Sequence, residues 1–296
     1  MKYTNTLGLL GRGISYSLSP WIHTAAAHAL GLPYRYQLFD VEPAVLEAFL
    51  QEFWAEGGLG LNITQPYKRV VAELVQSSDP AINTLYRNPH HVAWQSLSTD
   101  GEGFLAALDR VGGVSAFSHW VFLGNGGAVS GILDATRQLA TGPQVSVLRR
   151  DPKKDGELKG VYPGVRFLPF SPTALQEILA LGPCLLVQAS TASVEAWGPF
   201  LPILAEFSGC CMDLAYGARC SSLFLALRDQ RHPCEDGLAM LVEQARFAQK
   251  IWWDLAPSRE ALLAAMIEMA PQYGVQWNEY KTDIQRLQAN PMPIVL

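Results

Sequence analysis

A lysine at the opening of a helix is the residue of this chain best suited to proton chemistry. Asn62-Ile-Thr64-Gln-Pro66-Tyr-Lys68 runs into Arg69-Val-Val-Ala-Glu-Leu-Val75, which reads as an amphipathic helix with Pro66 at an early position. Lys68 then falls near the first turn, facing the positive end of the helix dipole, where a cation is disfavoured by roughly 0.3–1 kcal/mol. That setting suits a lysine that exchanges a proton during a reaction; a solvated lysine carrying a small penalty is the plainer alternative. Asp100 heads another predicted helix and is a carboxylate that could pair with the ammonium, although an N-cap aspartate needs no further role. Ser17 and Ser19 flank the start of a helix at Ser19-Pro20, so hydroxyls, backbone N–H groups and the dipole could converge on a carboxylate. Ser19 as a simple N-cap is the alternative there.

A second chemical signal lies in the middle of the chain. Trp120-Val-Phe-Leu123 reads as a strand, and Gly124-Asn-Gly126-Gly127-Ala128 carries it into a helix. A glycine turn between strand and helix lets backbone approach a pyrophosphate at the helix N-terminus. The spacing is Gly-x-Gly-Gly rather than the commonest dinucleotide fingerprint. At the end of the next strand, where an acid would bind ribose hydroxyls and indicate NAD, the residues are Arg149, Arg150 and Asp151, with Lys153 and Lys154 following. Two guanidiniums suit a 2′-phosphate, so the expectation is NADP(H); Asp151 could instead offset the cluster or bond a ribose hydroxyl.

These residues need a well-buried scaffold, and the composition supplies one. The chain has 296 residues, 49% hydrophobic and 17% charged, enough for two domains with substantial cores. A net charge of −5 without basic blocks argues against nucleic acid as a partner. No apolar run approaches the ~20 residues that span a bilayer, and the N-terminus lacks a signal-peptide pattern. The five cysteines, Cys184, Cys210, Cys211, Cys220 and Cys234, have no metal-type spacing and read as thiols of a reducing cytoplasm. No metal site is expected.

The predicted elements alternate strand and helix, which implies α/β architecture with parallel-rich sheets. Strands are expected at 7–11, 34–39 and 59–63, with helices at 19–29 and 42–54. Residues 81–97 suggest a short hairpin or an irregular β region, and a helix opens at Asp100. Val111-Gly-Gly113 marks a boundary before a second block with strands at 120–123, 145–148, 185–188 and 210–213, and a glycine-turn helix reaching about Ala140. A long apolar helix spans 236–253 and another pattern spans 259–269; the Pro-containing end has no assignment. The expected division is a substrate-type domain of residues 1–110, completed by helices in 237–296, and a Rossmann-like nucleotide domain of residues 111–236.

Ser17-Leu-Ser19-Pro20, the 62–68 segment, Ile82-Asn83-Thr84, Ser98-Thr99-Asp100-Gly101, Gly124-Asn-Gly126-Gly127-Ala128, Asp213-Leu-Ala-Tyr216 and Gly237-Leu-Ala-Met240-Leu-Val-Glu-Gln244 follow one another in that order. With this set the chain resembles the shikimate dehydrogenase family over about residues 5–255. The resemblance implies reversible reduction of 3-dehydroshikimate to shikimate with NADPH, in aromatic amino acid biosynthesis. It implies Lys68 and Asp100 as the catalytic pair and Ser17 and Ser19 as the substrate-carboxylate site. Thr64, Asn83 and Gln244 would bond ring hydroxyls, and Tyr216 would stand beside the substrate. Leu214 and Gly237 would lie near the nicotinamide, with Arg150 on the 2′-phosphate and Lys154 in place of a second arginine. The family pattern departs at Ser98, at Arg149, at Gln188-Ala-Ser190-Thr191 and at Gly217-Ala-Arg219-Cys-Ser-Ser222. Quinate or a related acid is the nearest alternative substrate, which the small Ser19 disfavours, and a silent nucleotide-binding paralogue is the other reading. A monomer or homodimer in the cytoplasm is expected.

Overall fold

The computed structural model describes residues 2–79, 81–150, 160–190, 192, 194–204 and 207–289. They form two compact units, one of residues 2–103 and 241–289, the other of residues 104–240.

The first unit is built on a five-stranded mixed sheet. Strands β1 (Thr6–Gly11), β2 (Arg35–Asp40) and β3 (Gly60–Ile63) are parallel, and β4 (Thr84–Tyr86) and β5 (Gln95–Leu97) add an antiparallel hairpin in the order β2-β1-β3-β4-β5. Every residue of β1 is buried, as expected for a central strand covered on both faces. Helices α1 (Ser19–Leu30), α2 (Leu46–Ala55) and α3 (Lys68–Leu74) follow the parallel strands in turn. Helix α1 begins one residue earlier than expected, at Ser19 itself: Leu18 occupies the N-cap, Ser19 and Pro20 are its first two residues, and Leu18 supplies no side-chain cap. Pro66 likewise stands outside α3, which starts at Lys68 after a turn at Gln65–Pro66. Proline fits a turn as readily as a first helical position, and the sequence pattern alone does not separate the two.

The C-terminal part of the chain returns to this unit. Helix α9 (Arg259–Glu268) and helix α10 (Gly274–Gln288) fill the stretch that had no complete assignment. They cover α1: Trp21 is fully buried, stacks on Tyr273 at 5.3 Å, meets Trp277 edge-on and donates its Nε1–H to Met266 O. Buried Glu243 accepts from Arg246 and Arg259, each at 2.5 Å, joining α9 to the long helix α8 (Leu238–Trp253).

The second unit holds a six-stranded, wholly parallel sheet in the order β11-β10-β9-β6-β7-β8. Its strands are β6 (His119–Leu123), β7 (Gln144–Arg149), β8 (Val165–Pro169), β9 (Cys184–Gln188), β10 (Gly209–Asp213) and β11 (Cys234–Glu235). Chain order reverses direction between β6 and β9, the switch point where doubly wound sheets bind nucleotides beyond the carboxyl ends of their strands. Helix α4 (Asp100–Ala107) precedes this sheet, α5 (Gly127–Thr136) links β6 to β7, α6 (Pro172–Leu179) links β8 to β9, and α7 (Ser222–Asp229) links β10 to β11. Helix α5 ends at Thr136 rather than near Ala140, because Arg137–Leu139 turn away before the next strand. Among the described residues no helix is long and apolar enough to cross a membrane.

Candidate functional site

Polar residues gather in the first unit around one buried carboxylate. Asp100 opens α4 with its side chain 2% exposed, and its Oδ2 accepts from Lys68 Nζ at 2.5 Å, the lysine side chain being 11% exposed. Its Oδ1 accepts from Asn83 Nδ2 at 3.0 Å and from Gln244 Nε2 at 2.8 Å. Three donors on two oxygens match an anion, since a buried charge is tolerated only when paired and hydrogen-bonded. Lys68 is the first residue of α3 and Asp100 the first of α4. The helix field therefore opposes the ammonium and favours the carboxylate. The ion pair is what holds the lysine there.

The amide of Asn83 is itself fixed. Its Oδ1 accepts from Thr99 N at 2.8 Å and from Thr84 Oγ1 at 2.9 Å, so its Nδ2 must face Asp100. Behind it, Asn62 Nδ2 donates to Thr84 Oγ1 at 3.1 Å, and Asn62 Oδ1 accepts from Tyr36 Oη at 2.7 Å. Burial pushes the Tyr36 phenol well above its ordinary range, so it stays a donor. His23 stacks coplanar on Tyr36 at 4.1 Å and is held by Gln249 Nε2 at 2.8 Å from its Nδ1; burial alone lowers its pKa to about 3. Tyr36, Asn62 and Thr99 are functional neighbours of this carboxylate that no sequence motif singles out. A polar residue inside Leu61-Asn-Ile63 was the available signal, because a strand interior admits a polar side chain only with a partner.

Ser17 and Ser19 are also in this unit, both buried. Ser17 Oγ donates to Ser19 Oγ at 3.1 Å and accepts from Ser19 N at 3.2 Å. Leu18 at the N-cap offers no side-chain acceptor, Ser19 N is bonded to Ser17 Oγ, Pro20 has no N–H and Ile22 N is bonded to Leu18 O. Thr64, partly exposed, sits in the turn between β3 and Lys68, its N–H bonded to Leu10 O. Ser98, one of the departures from the family pattern, accepts from Asp100 N at 3.3 Å and so secures the start of α4.

The remaining predicted residues belong to the second unit. Gly124 follows β6 with φ 113°, a conformation L side chains rarely adopt, and a Cβ there would come within 3.0 Å of the Ala189 backbone beyond β9. Gly126 caps α5 without a side-chain bond, nothing nearer than 3.9 Å would meet a Cβ on it, and Gly127 and Ala128 form the first turn. An open backbone cradle at a helix N-terminus, placed at the switch point of the sheet, fits a pyrophosphate. Arg150 is exposed at the end of β7. Arg149 turns inward instead: it is 1% exposed, with its guanidinium 5.2 Å from the Phe167 ring centroid. Side chains alternate along a strand, so the two arginines do not face the same way. Lys154 and Asp151 lie outside the described residues.

Leu214 and Gly237 are brought together. Gly237 N donates to Ala215 O at 2.8 Å, and a Cβ on Gly237 would meet Leu214 O at 2.4 Å. Asp213 fixes the same loop by accepting from Ala215 N and Ser221 N, and burial raises its pKa despite those bonds. Tyr216 follows in that loop, in the second unit, whereas the other residues expected around the substrate are in the first. Among the described residues, no group of three or more His, Cys, Asp or Glu is arranged to hold a metal.

Comparison with known proteins places the chain. The shikimate dehydrogenase substrate binding domain matches residues 9–85. A shikimate dehydrogenase (NADP(+)) of Microcystis aeruginosa is 30% identical over 287 residues, covering 88% of this chain and 96% of that protein. A shikimate 5-dehydrogenase from Thermus thermophilus, crystallised with NADP(H) and shikimate, superposes with TM-score 0.72 at 26% identity over 89% of this chain and 98% of its own. An Ael1 enzyme from Pseudomonas putida superposes with TM-score 0.73 at 26% identity and covers 97% of this chain and 99% of its own. The chain belongs to the shikimate dehydrogenase family.

Proposed function

We propose that the chain is an NADP-dependent dehydrogenase that interconverts 3-dehydroshikimate and shikimate in aromatic amino acid biosynthesis. The observation that carries this reading is the buried Lys68–Asp100 pair with Asn83 and Gln244 on the same carboxylate. When bound, the nicotinamide supplies or receives the hydride.

The chain's own residues do the rest. In the reductive direction Lys68 Nζ stabilises the charge developing on the carbonyl oxygen and gives it a proton; in the oxidative direction it takes that proton from the hydroxyl. Asp100 orients the ammonium by accepting its hydrogen bond. Thr64, Asn83 and Gln244 bond ring hydroxyls, with Asn83 and Gln244 also steering Asp100. Ser17 and Ser19 take the substrate carboxylate.

In the second unit Gly124, Gly126, Gly127 and Ala128 cradle the pyrophosphate, and Arg150 binds the 2′-phosphate. Arg149 stiffens the end of β7 from inside, Lys154 is the additional cation, and Leu214 and Gly237 shape the wall for the nicotinamide. A panel of shikimate and quinate with NADP⁺ and NAD⁺, followed by absorbance, tests the assignment. Turnover is expected with shikimate and NADP⁺. Preferred turnover of quinate would move the chain to the neighbouring activity, and no turnover with any pair would leave only nucleotide binding.

A further inference from the structure

Strands β10 and β11 lie side by side at the edge of the parallel sheet, and their register sets Cys211 directly opposite Cys234. Neighbouring strands stand roughly 4.8 Å apart, and registered side chains leave a sheet by the same face. A disulfide requires Cα atoms about 4.4–6.8 Å apart and converging Cβ atoms, so the backbone spacing already suits one. Both side chains enter the same apolar cluster, with Leu223 and Phe224 of α7. Cys210, one residue along β10, leaves by the opposite face.

The two thiols differ in a way that assigns roles. Cys211 is fully buried, whereas Cys234 keeps part of its surface in solvent. The hydrogen bond from the Cys211 thiol, assisted by the nearby Arg228 guanidinium, holds Cys234 below its usual thiol range. The same bond and complete burial push Cys211 up. A partly exposed thiol directly across the strands from a second cysteine is the arrangement of redox-responsive dithiols.

We infer that Cys234 and Cys211 form a reversible, hydroperoxide-oxidisable dithiol at the edge of the nucleotide-type sheet, with Cys234 attacking and Cys211 resolving. The Cys234 thiolate attacks one oxygen of hydrogen peroxide, the O–O bond breaks, and the departing hydroxide takes up a proton to become water. The sulfur is left as a sulfenic acid. Cys211 then attacks that sulfur; the S–S bond forms, the S–O bond breaks, and the thiol proton leaves with the hydroxyl as a second water. The two sulfurs lose two electrons in total, and one peroxide becomes two waters. The bond would staple the segment carrying Leu214 to the segment carrying Gly237, which Asp236 already joins by accepting from Gly217 N.

The test is peptide mapping of the reduced full chain after treatment with hydrogen peroxide, without reductant during digestion. The expected product is a Cys211–Cys234 linked peptide, lost on addition of dithiothreitol and still formed in Cys220→Ser. In Cys211→Ser, Cys234 should stop at the sulfenic acid and be trapped by dimedone. Unlinked, freely alkylated Cys211 and Cys234 in the peroxide-treated wild type would overturn the inference, as would a link through Cys220. The wild-type map alone decides even if a variant misfolds, and it reads no dehydrogenase activity, so it stands or falls apart from the proposed function.

Discussion

Around Asp100 each polar atom has one assigned direction, and the consequences of changing it are specific. Lys68 Nζ is the only ammonium bonded to this carboxylate among the described contacts. Lys68→Ala is expected to lower kcat by roughly 10²–10⁴ while NADPH binding, followed by nucleotide fluorescence, changes little. Near-normal turnover in that variant would remove Lys68 from proton transfer. Arg150 makes a different prediction because it is exposed at a strand end in the other unit. A hydrogen bond to a charged group is worth about 1.5–3 kcal/mol, so Arg150→Ala should raise the KM for NADPH by about 10–100-fold and leave that for NADH unchanged. Equal effects on both cofactors would place Arg150 away from the 2′-phosphate.

Among the elements, the turn from β6 into α5 is the one most constrained by backbone. Gly124 combines φ 113° with a backbone neighbour 3.0 Å from any added Cβ. Strain of this kind costs on the order of 1–3 kcal/mol, so Gly124→Ala should lower the urea midpoint and weaken NADPH together. A variant that kept both would show the turn to be tolerant. Helices α9 and α10 make a second prediction, since Trp21 of α1 is covered by Met266, Tyr273 and Trp277. Removing residues 258–296 would expose Trp21 and loosen α1, whose first turn holds Ser19. The expected signs are a red-shifted tryptophan emission and a lower Tm, and an unchanged Tm would make the tail dispensable.

For the whole molecule, the buried His23 couples stability to acid. Its folded pKa is lowered to about 3 by burial, below the ordinary value near 6.5 of an unfolded histidine. Below about pH 6.5 the unfolded chain therefore binds a proton that the folded chain refuses, and stability falls as pH drops from there toward 3. Above that window His23 contributes no slope. His23→Gln should flatten the decline of the urea midpoint between pH 6.5 and 4 relative to wild type. An identical slope would mean that other groups control the acid limb.

The sequence by itself determined the chemical types and their order along the chain. The glycine turn, most strands and the helix starts near Ser19, Lys68 and Asp100 were legible because strand and helix periodicity, Pro and Gly are local signals, whereas the roles of Asn83 and Gln244 came only from the ordered motifs that carry the family resemblance. Helix starts were displaced by a residue or two, as at Ser19 and Pro66, because a cap and a first helical residue use the same side chains. Strand β8 and helix α6 went unread beyond the Lys153-Lys154 stretch, and α10 went unread because its Gly, Trp and polar residues give little periodicity. Only the tertiary structure decided that Gln244, 144 residues away from Asp100, shares its Oδ1 with Asn83, that Tyr36 and Asn62 stand behind them, and that Arg149 faces inward. Those are long-range pairings, set by which strand lies beside which and how helices pack on them, and no local pattern encodes them.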